Sequence, residues 1–270
     1  MGILYQNATT ADDAAVHGLR LAFRPVVTAA SAASASDTSL IVTGATWLPS
    51  AGDIFIGNSA ANEVRTVSAI SGNTLTIDAL VGAVSVGTKV RPVNWYDMGY
   101  TQSPDLATDS EQVELSTART GKSVVFKTIS TSTSRTLTFE TLSSVDDDVI
   151  ALHNGTPPIA GAVGTGNKVY KVGVNGITGE LIVLNYNANS TEKGFIQYFP
   201  SVTLTGDGFG DAFDGESATV LNFSVSIGQD ADYTIPTSID AAATNTPEGF
   251  MYKAVASDLN TVRDHLADLT

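Results

Sequence analysis

Residues 115–126 read LSTARTGKSVVF, and this stretch decides between an α/β nucleotide-binding fold and a β fold. Gly121, Lys122 and Ser123 match the end of a phosphate-binding loop, but that loop needs a glycine where Ser116 stands. The segment before it, EQVEL, alternates charged and apolar residues, and the segment after it, SVVFKTI, is rich in β-branched residues. Both flanks therefore predict strands, with a long polar connection between them.

Short alternating runs separated by turn residues recur along the chain. Between residues 38 and 93 they are TSLIV, GDIFIG, EVRTVSAI, NTLTID and TKVRPV. Between residues 111 and 228 they are EQVEL, SVVFKTIS, SRTLTFETL, NKVYKVGV, GELIVLNY, FIQYFPSVTLT and SATVLNFSVSIG. Runs of strand length with a period of two predict an all-β protein.

The spacing of these runs divides the chain into four parts. We predict an N-terminal segment (1–27), an inserted small β-barrel or sandwich module (28–93), a core domain (94–230) and a C-terminal arm with an amphipathic helix (231–270). The module opens with TAASAASAS, a small-residue stretch whose composition is typical of a linker. Residues 229–250 are rich in Ala, Thr, Asp and Pro, which predicts an irregular arm over the surface.

Two segments depart from the strand period. The first is SSVDDDVIALHNG, whose apolar residues stand at helical spacing: Leu142, Val145, Val149 and Leu152. Ser144 is the predicted N-cap, residues 146–148 place three acids in the first turn, and Gly155 is the predicted end.

The second segment is the C-terminus, where one apolar stripe predicts a terminal helix. Its members repeat at steps of four and three: Val255, Leu259, Val262, Leu266 and Leu269. Two alternatives stay open for this helix, packing on its own sheet or on a neighbouring subunit.

Composition excludes several classes of protein. Apolar residues make up 43 % of the chain, enough for a core, while 14 Lys and Arg against 28 Asp and Glu give a net charge of −14. That charge excludes a general basic surface for nucleic acid. The absence of cysteine excludes disulfides and Cys-ligated metals, and no apolar run reaches the length of a bilayer span.

No residue pattern points to catalysis. His17, His153 and His265 lie in distant segments, which argues against a zinc site. The segment GDGFGDAFDGE (206–216) resembles a calcium loop, but Phe209 and Ala212 stand where the EF-hand needs an oxygen ligand and a glycine. We therefore expect an acidic loop, no cofactor and no enzyme. The acids of this loop are Asp207, Asp211, Asp214 and Glu216.

The order of segments from Trp95 to about residue 230 resembles a known family. The segments are WYDMGYTQSPDLATDSEQVEL, STARTGKS, VVFKTIS, RTLTFETL, SVDDDVIALHNG, VYKVGVNGITGELIVL, GFIQYFPSVTLTGDGF and ATVLNFSVSIG. In this order they resemble the tail tube protein, or major tail protein, of long-tailed bacteriophages. The module at 28–93 departs from the minimal pattern of that family.

The resemblance implies a mainly β fold of two packed antiparallel sheets with one short flanking helix. Six subunits would close into a ring, and rings would stack into a hollow, acidic-lined tube for genome ejection. The partners would be other copies, tape measure and terminator proteins, and passing double-stranded DNA without specific binding, with no membrane. The location would be the tail of the virion, after assembly in the host cytoplasm.

The resemblance also assigns two sites. Arg119, Gly121 and Lys122 would belong to a loop that contacts the adjacent ring, and the acids of 206–216 would face the lumen or an interface. A calcium-stabilised β-rich adhesin or capsid decoration module is the alternative function.

Overall fold

The computed structural model describes residues 19–57, 63–117, 124–142, 146–160, 166–173, 176–185, 193–210 and 219–268. In chain order the strands are β1 (Leu19–Pro25), β2 (Val27–Thr28), β3 (Ser39–Ile41), β4 (Gly52–Ile56), β5 (Glu63–Ser71), β6 (Thr74–Ile77), β7 (Lys89–Pro92), β8 (Tyr96–Asp97), β9 (Thr101–Thr117), β10 (Val124–Thr141), β11 (Ile159–Ala160), β12 (Lys168–Val169), β13 (Ile177–Asn185), β14 (Lys193–Gly210), β15 (Val220–Ile227) and β16 (Phe250–Val255). The helices are α1 (Asp147–Asn154) and α2 (Ala256–Asp268). This described part of the chain is mainly β, with two main antiparallel sheets and two short helices, which confirms the predicted fold class.

The larger sheet has eight strands and curls on itself. Its order is β8-β1-β13-β14-β15-β10-β9, and β16 pairs with the first part of β14. The two ends of this order, β8 and β9, are joined by residues 98–100 alone. Met98 makes hydrogen bonds to strands near both ends of this order. Its amide donates to the Leu21 carbonyl of β1 at 2.9 Å, and its carbonyl accepts from the Thr141 hydroxyl of β10 at 2.7 Å. The sheet therefore has an inner and an outer face.

The inner face encloses the main hydrophobic core. Val149 and Leu152 of α1 pack into it and are almost completely buried. The strands contribute alternate residues: Leu21, Phe23, Leu137, Phe139, Ile177, Leu181, Val183, Phe199, Val202, Leu204, Leu221, Phe223 and Val225. Burial of alternate residues is what the period of two in the sequence predicts.

The outer face carries a second core over one part of the sheet. There Ala22, Ile182, Leu184, Ile196 and Tyr198 meet α2 and the irregular segment that precedes β16. Leu259, Val262 and Leu266 of α2 are buried in this contact. The terminal helix thus packs on its own sheet.

Residues 27–92 form a separate small barrel. Its strand order is β2-β7-β4-β5-β6-β3, and the two edge strands meet through a bridge between Ala29 and Val42. Ala30 donates to Ile41 at 2.8 Å and Thr43 donates to Thr28 at 2.9 Å, which closes the barrel. It has a core of its own, with Leu40, Ile54, Leu75 and Val90 among its members.

The linker predicted at 28–36 is wrong. Ala29 is buried in the barrel, and Ala33 bridges Val84. Small side chains suit the close approach of strands where a barrel closes, so a small-residue stretch is compatible with both a linker and a barrel strand.

The first helix starts later than predicted. Asp146, not Ser144, is the N-cap, and its carboxylate accepts from the amides of Asp148 and Val149. Leu142 lies before the helix and is exposed. Gly155 ends the helix in the left-handed region with φ 67°, as predicted. Ser144, Val145 and Leu269 lie outside the described residues.

Several predicted strands change in length. EQVEL, SVVFKTIS and SRTLTFETL are parts of two long strands, β9 and β10, which form a hairpin. In the described part of NKVYKVGV, residues 167–173, two residues form a strand, β12. Strand β14 continues to Gly210, so the predicted acidic loop begins as strand, with a register shift between Gly206 and Phe209.

Candidate functional site: a polar sheet face and a projecting hairpin

One part of the outer sheet face carries polar side chains instead of a core. The strands that form it are β9, β10, β13, the second half of β14 and β15. We call it the polar face, and each of its members is half-exposed or exposed: Gln102, Asp105, Ala107, Thr136, Thr138, Glu140, Thr178, Thr203, Thr205, Asn222, Ser224 and Ser226.

The strand register aligns these residues in rows across the sheet. The first row is Thr178, Thr203, Ser226, Thr136 and Ala107. The second is Thr205, Ser224, Thr138 and Asp105, and the third is Asn222, Glu140 and Gln102. Residues opposite each other in a register share a face, so the rows form one continuous surface of hydroxyls, amides and carboxylates.

Charge on the polar face has one sign. Asp105 and Glu140 are its ionisable residues, and no Lys or Arg occupies any of its positions. Glu140 accepts a hydrogen bond from the Gln102 amide at 3.0 Å. Phosphate groups near this surface would be repelled by the carboxylates, and no Lys or Arg of the polar face would bind them.

The β9–β10 hairpin extends beyond the sheet. Strand β10 pairs with β15 only from Arg135 to Thr141, whereas β9 and β10 pair with each other far past that point. We call residues 109–117 and 124–134 the outer ribbon. At about 3.3 Å per residue, 109–117 reach about 30 Å from the sheet.

In the β9 half of the outer ribbon, side chains on both faces are exposed. Asp109, Glu111, Val113, Glu114 and Thr128 are all exposed. Among the described residues, no third strand pairs with the ribbon. Two strands alone are marginally stable in water, and an open edge is a template for another chain. Strand β9 carries four acids and no base, which discourages pairing with unrelated edges.

The residues assigned from the resemblance fall mostly outside the described part. Arg119, Gly121 and Lys122 lie in 118–123, between β9 and β10, and their contact role stays a prediction. Asp211, Asp214 and Glu216 lie in 211–218, between β14 and β15, and Asp207 is exposed on β14. The two connections follow strands that also form the polar face.

A buried ionic cluster, which the sequence patterns did not predict, joins the barrel to the sheet. Arg24, Arg91 and Glu180, here the junction cluster, are each at most 1 % exposed. The Arg24 Nε and Nη2 atoms both donate to Glu180 Oε2, the first at 3.0 Å, and Arg91 Nη1 donates to Oε1 at 3.0 Å. Arg24 and Arg91 stand among apolar residues in LAFRPV and KVRPV, and Glu180 directly precedes the apolar run LIVL, which was the signal in the sequence.

Electrostatics keep Glu180 ionised. Burial on its own raises the pKa of this carboxyl, but the charges of Arg24 and Arg91 outweigh it and hold the pKa below its usual value. The Arg24 guanidinium also lies 4.3 Å from the centre of the Trp95 ring, and both guanidiniums lie near Phe55. Aromatic faces thus offset part of the excess positive charge.

The three consecutive acids of α1 have structural roles. Asp146 is the N-cap, and Asp147 pairs with Lys168 and accepts from the Tyr170 hydroxyl. Burial raises the pKa of Asp148, and Asp146 adds to that effect. His153 is buried, with Nε2 3.0 Å from the Gly208 carbonyl. Within the described residues, no group of three or more His, Cys, Asp or Glu is placed to hold a metal ion.

No protein-family model matches the chain, and no curated protein matches it. Neither helix in the described part of the chain is long and apolar enough to cross a membrane.

Proposed function

We propose that the protein is a structural subunit of a phage tail tube, which assembles into stacked rings around a bore for DNA. The observation that carries this proposal is the polar face, a broad sheet surface without bases that lies beside a part of the same face covered by α2. The sixfold ring and the stacking come from the resemblance in the order of its segments.

The chemistry of the polar face fits a bore. Double-stranded DNA binds proteins chiefly through phosphate contacts with Lys and Arg, and such contacts would hold it in a channel. Hydroxyl groups keep a surface wet without charge, while Asp105 and Glu140 repel phosphates. DNA would therefore slide along this face.

The outer ribbon fits a contact with another copy. It projects about 30 Å with both edges unpaired among the described residues, and an unpaired strand edge is a template for another chain. Contact between different surfaces of identical subunits is heterologous, and such contacts generate rings or open helical stacks. Arg119 and Lys122, which lie between β9 and β10 in the sequence, would then pair with acids of the next copy.

Electron microscopy of the purified full chain tests the proposal. We expect hollow tubes with regular transverse striations. A variant in which residues 110–133 are replaced by Asn-Gly keeps the pairing of Asp109 with Ser134 and removes the outer ribbon. Because that part of the hairpin pairs with no other strand among the described residues, we expect this variant to fold and to form no tubes.

Two results would overturn the proposal. One is a full chain that stays monomeric at every concentration and salt level tested. The other is a ribbon-deleted variant that assembles as well as the wild type. A matched variant, Thr76→Ala on the exposed surface of the barrel, controls for the general effect of substitution and should assemble normally.

A further inference from the structure

The barrel contacts both faces of the eight-stranded sheet. On the inner side Trp47 packs at the edge of the main core and meets Tyr96 of β8 edge to face, with ring centres 6.2 Å apart. On the outer side Arg91 of β7 reaches Glu180 of β13. Lys89 adds an ion pair with Asp230, in the segment that covers the outer core. The barrel therefore straddles the edge of the sheet.

The junction cluster divides its charges between the two parts. Arg24 and Glu180 belong to neighbouring strands of the sheet and pair with each other, while Arg91 belongs to the barrel. Without Arg91 the sheet would still hold a neutral ion pair. With Arg91 in place, a rotation that withdraws it from Glu180 while the junction stays closed leaves a buried guanidinium without its carboxylate, which is very unfavourable.

The hydrogen-bond geometry of the junction cluster further limits the orientations that the barrel can take on the sheet. Glu180 uses both carboxylate oxygens, one for each arginine, so Arg91 has a single oxygen to bind. Phe55 of β4 lies beside both guanidiniums, at 5.6 and 6.0 Å, and fixes the barrel side of the contact. A hydrophobic contact tolerates sliding, whereas this bonded arrangement does not.

We propose that the junction cluster locks the barrel in one orientation on the sheet. Barrel and sheet then move as one rigid body, and the barrel is a fixed part of the subunit and not a decoration on a flexible tether. This inference does not depend on the proposed function, since it concerns the isolated chain.

Distance measurement between two spin labels tests the inference. The chain has no cysteine, so Thr76→Cys in the barrel and Ser226→Cys in the sheet, both exposed, give two unique sites. In the wild-type background we expect one narrow distance distribution by pulsed electron paramagnetic resonance. In Arg91→Met, where the sheet keeps its Arg24–Glu180 pair, we expect at least a doubling of the width.

Arg65→Met is the matched control. Arg65 also lies on the barrel, but its ion pair with Glu63, at 2.6 Å, stays within the barrel. We expect its distribution to equal that of the wild type. An unchanged width in Arg91→Met, a broad distribution in the wild type, or equal broadening in both variants would overturn the inference.

A second variant covers the case in which Arg91→Met does not fold. Replacing Arg24 and Arg91 by Met and Glu180 by Leu together removes every charge of the cluster, so no unpaired ion remains. We expect this triple variant to fold and to give a broad distribution. The two tryptophans of the chain, Trp47 and Trp95, both lie at the junction, and their fluorescence reports whether it has loosened. A narrow distribution in the triple variant would overturn the inference.

Discussion

The outer face of the eight-stranded sheet has two halves with opposite character, and β14 belongs to both. In its first half Ile196 and Tyr198 lie under α2 and are buried, together with Phe199 on the inner side. In its second half Val202 and Leu204 face the inner core, whereas Thr203 and Thr205 lie on the polar face. We call the first of these the covered half. The second, the bare half, is the polar face.

The same chain therefore covers one half of this sheet face with a helix and leaves the other half exposed to solvent. Covering an apolar sheet face stabilises a fold by about 25 cal/mol per Å² of apolar surface. The bare half forgoes that gain, and its positions hold Thr, Ser and carboxylates in place of apolar residues. A surface kept free in this way is consistent with a function there.

A carboxylate in each half gives the largest expected contrast. Glu180→Leu leaves two buried guanidiniums without a counterion, and we expect the free energy of unfolding to fall by about 3–5 kcal/mol. Glu140→Leu in the bare half removes one partly exposed hydrogen bond to Gln102, and we expect a loss of at most about 1 kcal/mol. Urea unfolding followed by circular dichroism measures both. Similar losses in the two variants would remove the distinction between the halves.

Truncation of one apolar and one polar side chain gives the next contrast. Leu259 of α2 is completely buried on the covered half, so Leu259→Ala should lower the free energy of unfolding by about 2–4 kcal/mol. Thr203→Ala on the bare half should change it by at most about 0.5 kcal/mol. Thermal unfolding at matched concentrations compares them, and a costly Thr203→Ala would mean that the bare half is packed.

Acid should weaken the covered half through Glu180. The folded-state pKa of Glu180 lies below its ordinary value of 4.5, so its contribution is fully present above that pH. The contribution is lost as the pH falls through the folded-state pKa. Compared with the triple variant that lacks the cluster, the wild type should lose more stability between about pH 7 and about pH 3. Parallel stability curves for the two proteins would contradict this.

Charge reversal on the bare half should have a small effect on stability and a specific effect on DNA. Asp105→Lys with Glu140→Lys should lower the free energy of unfolding by about 1 kcal/mol or less, most of it from the lost hydrogen bond between Gln102 and Glu140, since both residues are partly or fully exposed. Assembled tubes of this variant should retain nuclease-protected double-stranded DNA at low salt and release it at high salt. The control, Asp78→Lys with Asp258→Lys, adds the same charge on the barrel and on α2, and equal protection there would contradict the assignment.

The periodicity of the sequence was sufficient for the fold class and for some local features. Alternation predicted the strands, the stripe through Leu259, Val262 and Leu266 predicted α2, and Gly155 predicted the end of α1. These features depend on residues close in sequence, so local spacing carries them.

Features that depend on contacts between residues distant in the sequence could not be predicted from it. Alternation divides each strand into two sets of residues but does not say which set is covered, so neither the polar face nor its row of Thr203, Ser226 and Thr136 could be assigned. The junction cluster joins residues separated by 156 and 89 positions, which no local pattern connects. The N-cap was misplaced because Ser144 and Asp146 are both good caps, and the choice depends on how α1 meets the core.

A cryo-electron microscopy reconstruction of the full chain after self-assembly tests the central claim most directly. We expect a hollow tube of stacked rings whose bore is lined by the polar face, with Asp105, Thr138 and Thr203 toward the axis. A solid assembly, or a tube in which these residues lie on the outside while α2 faces the axis, would contradict it.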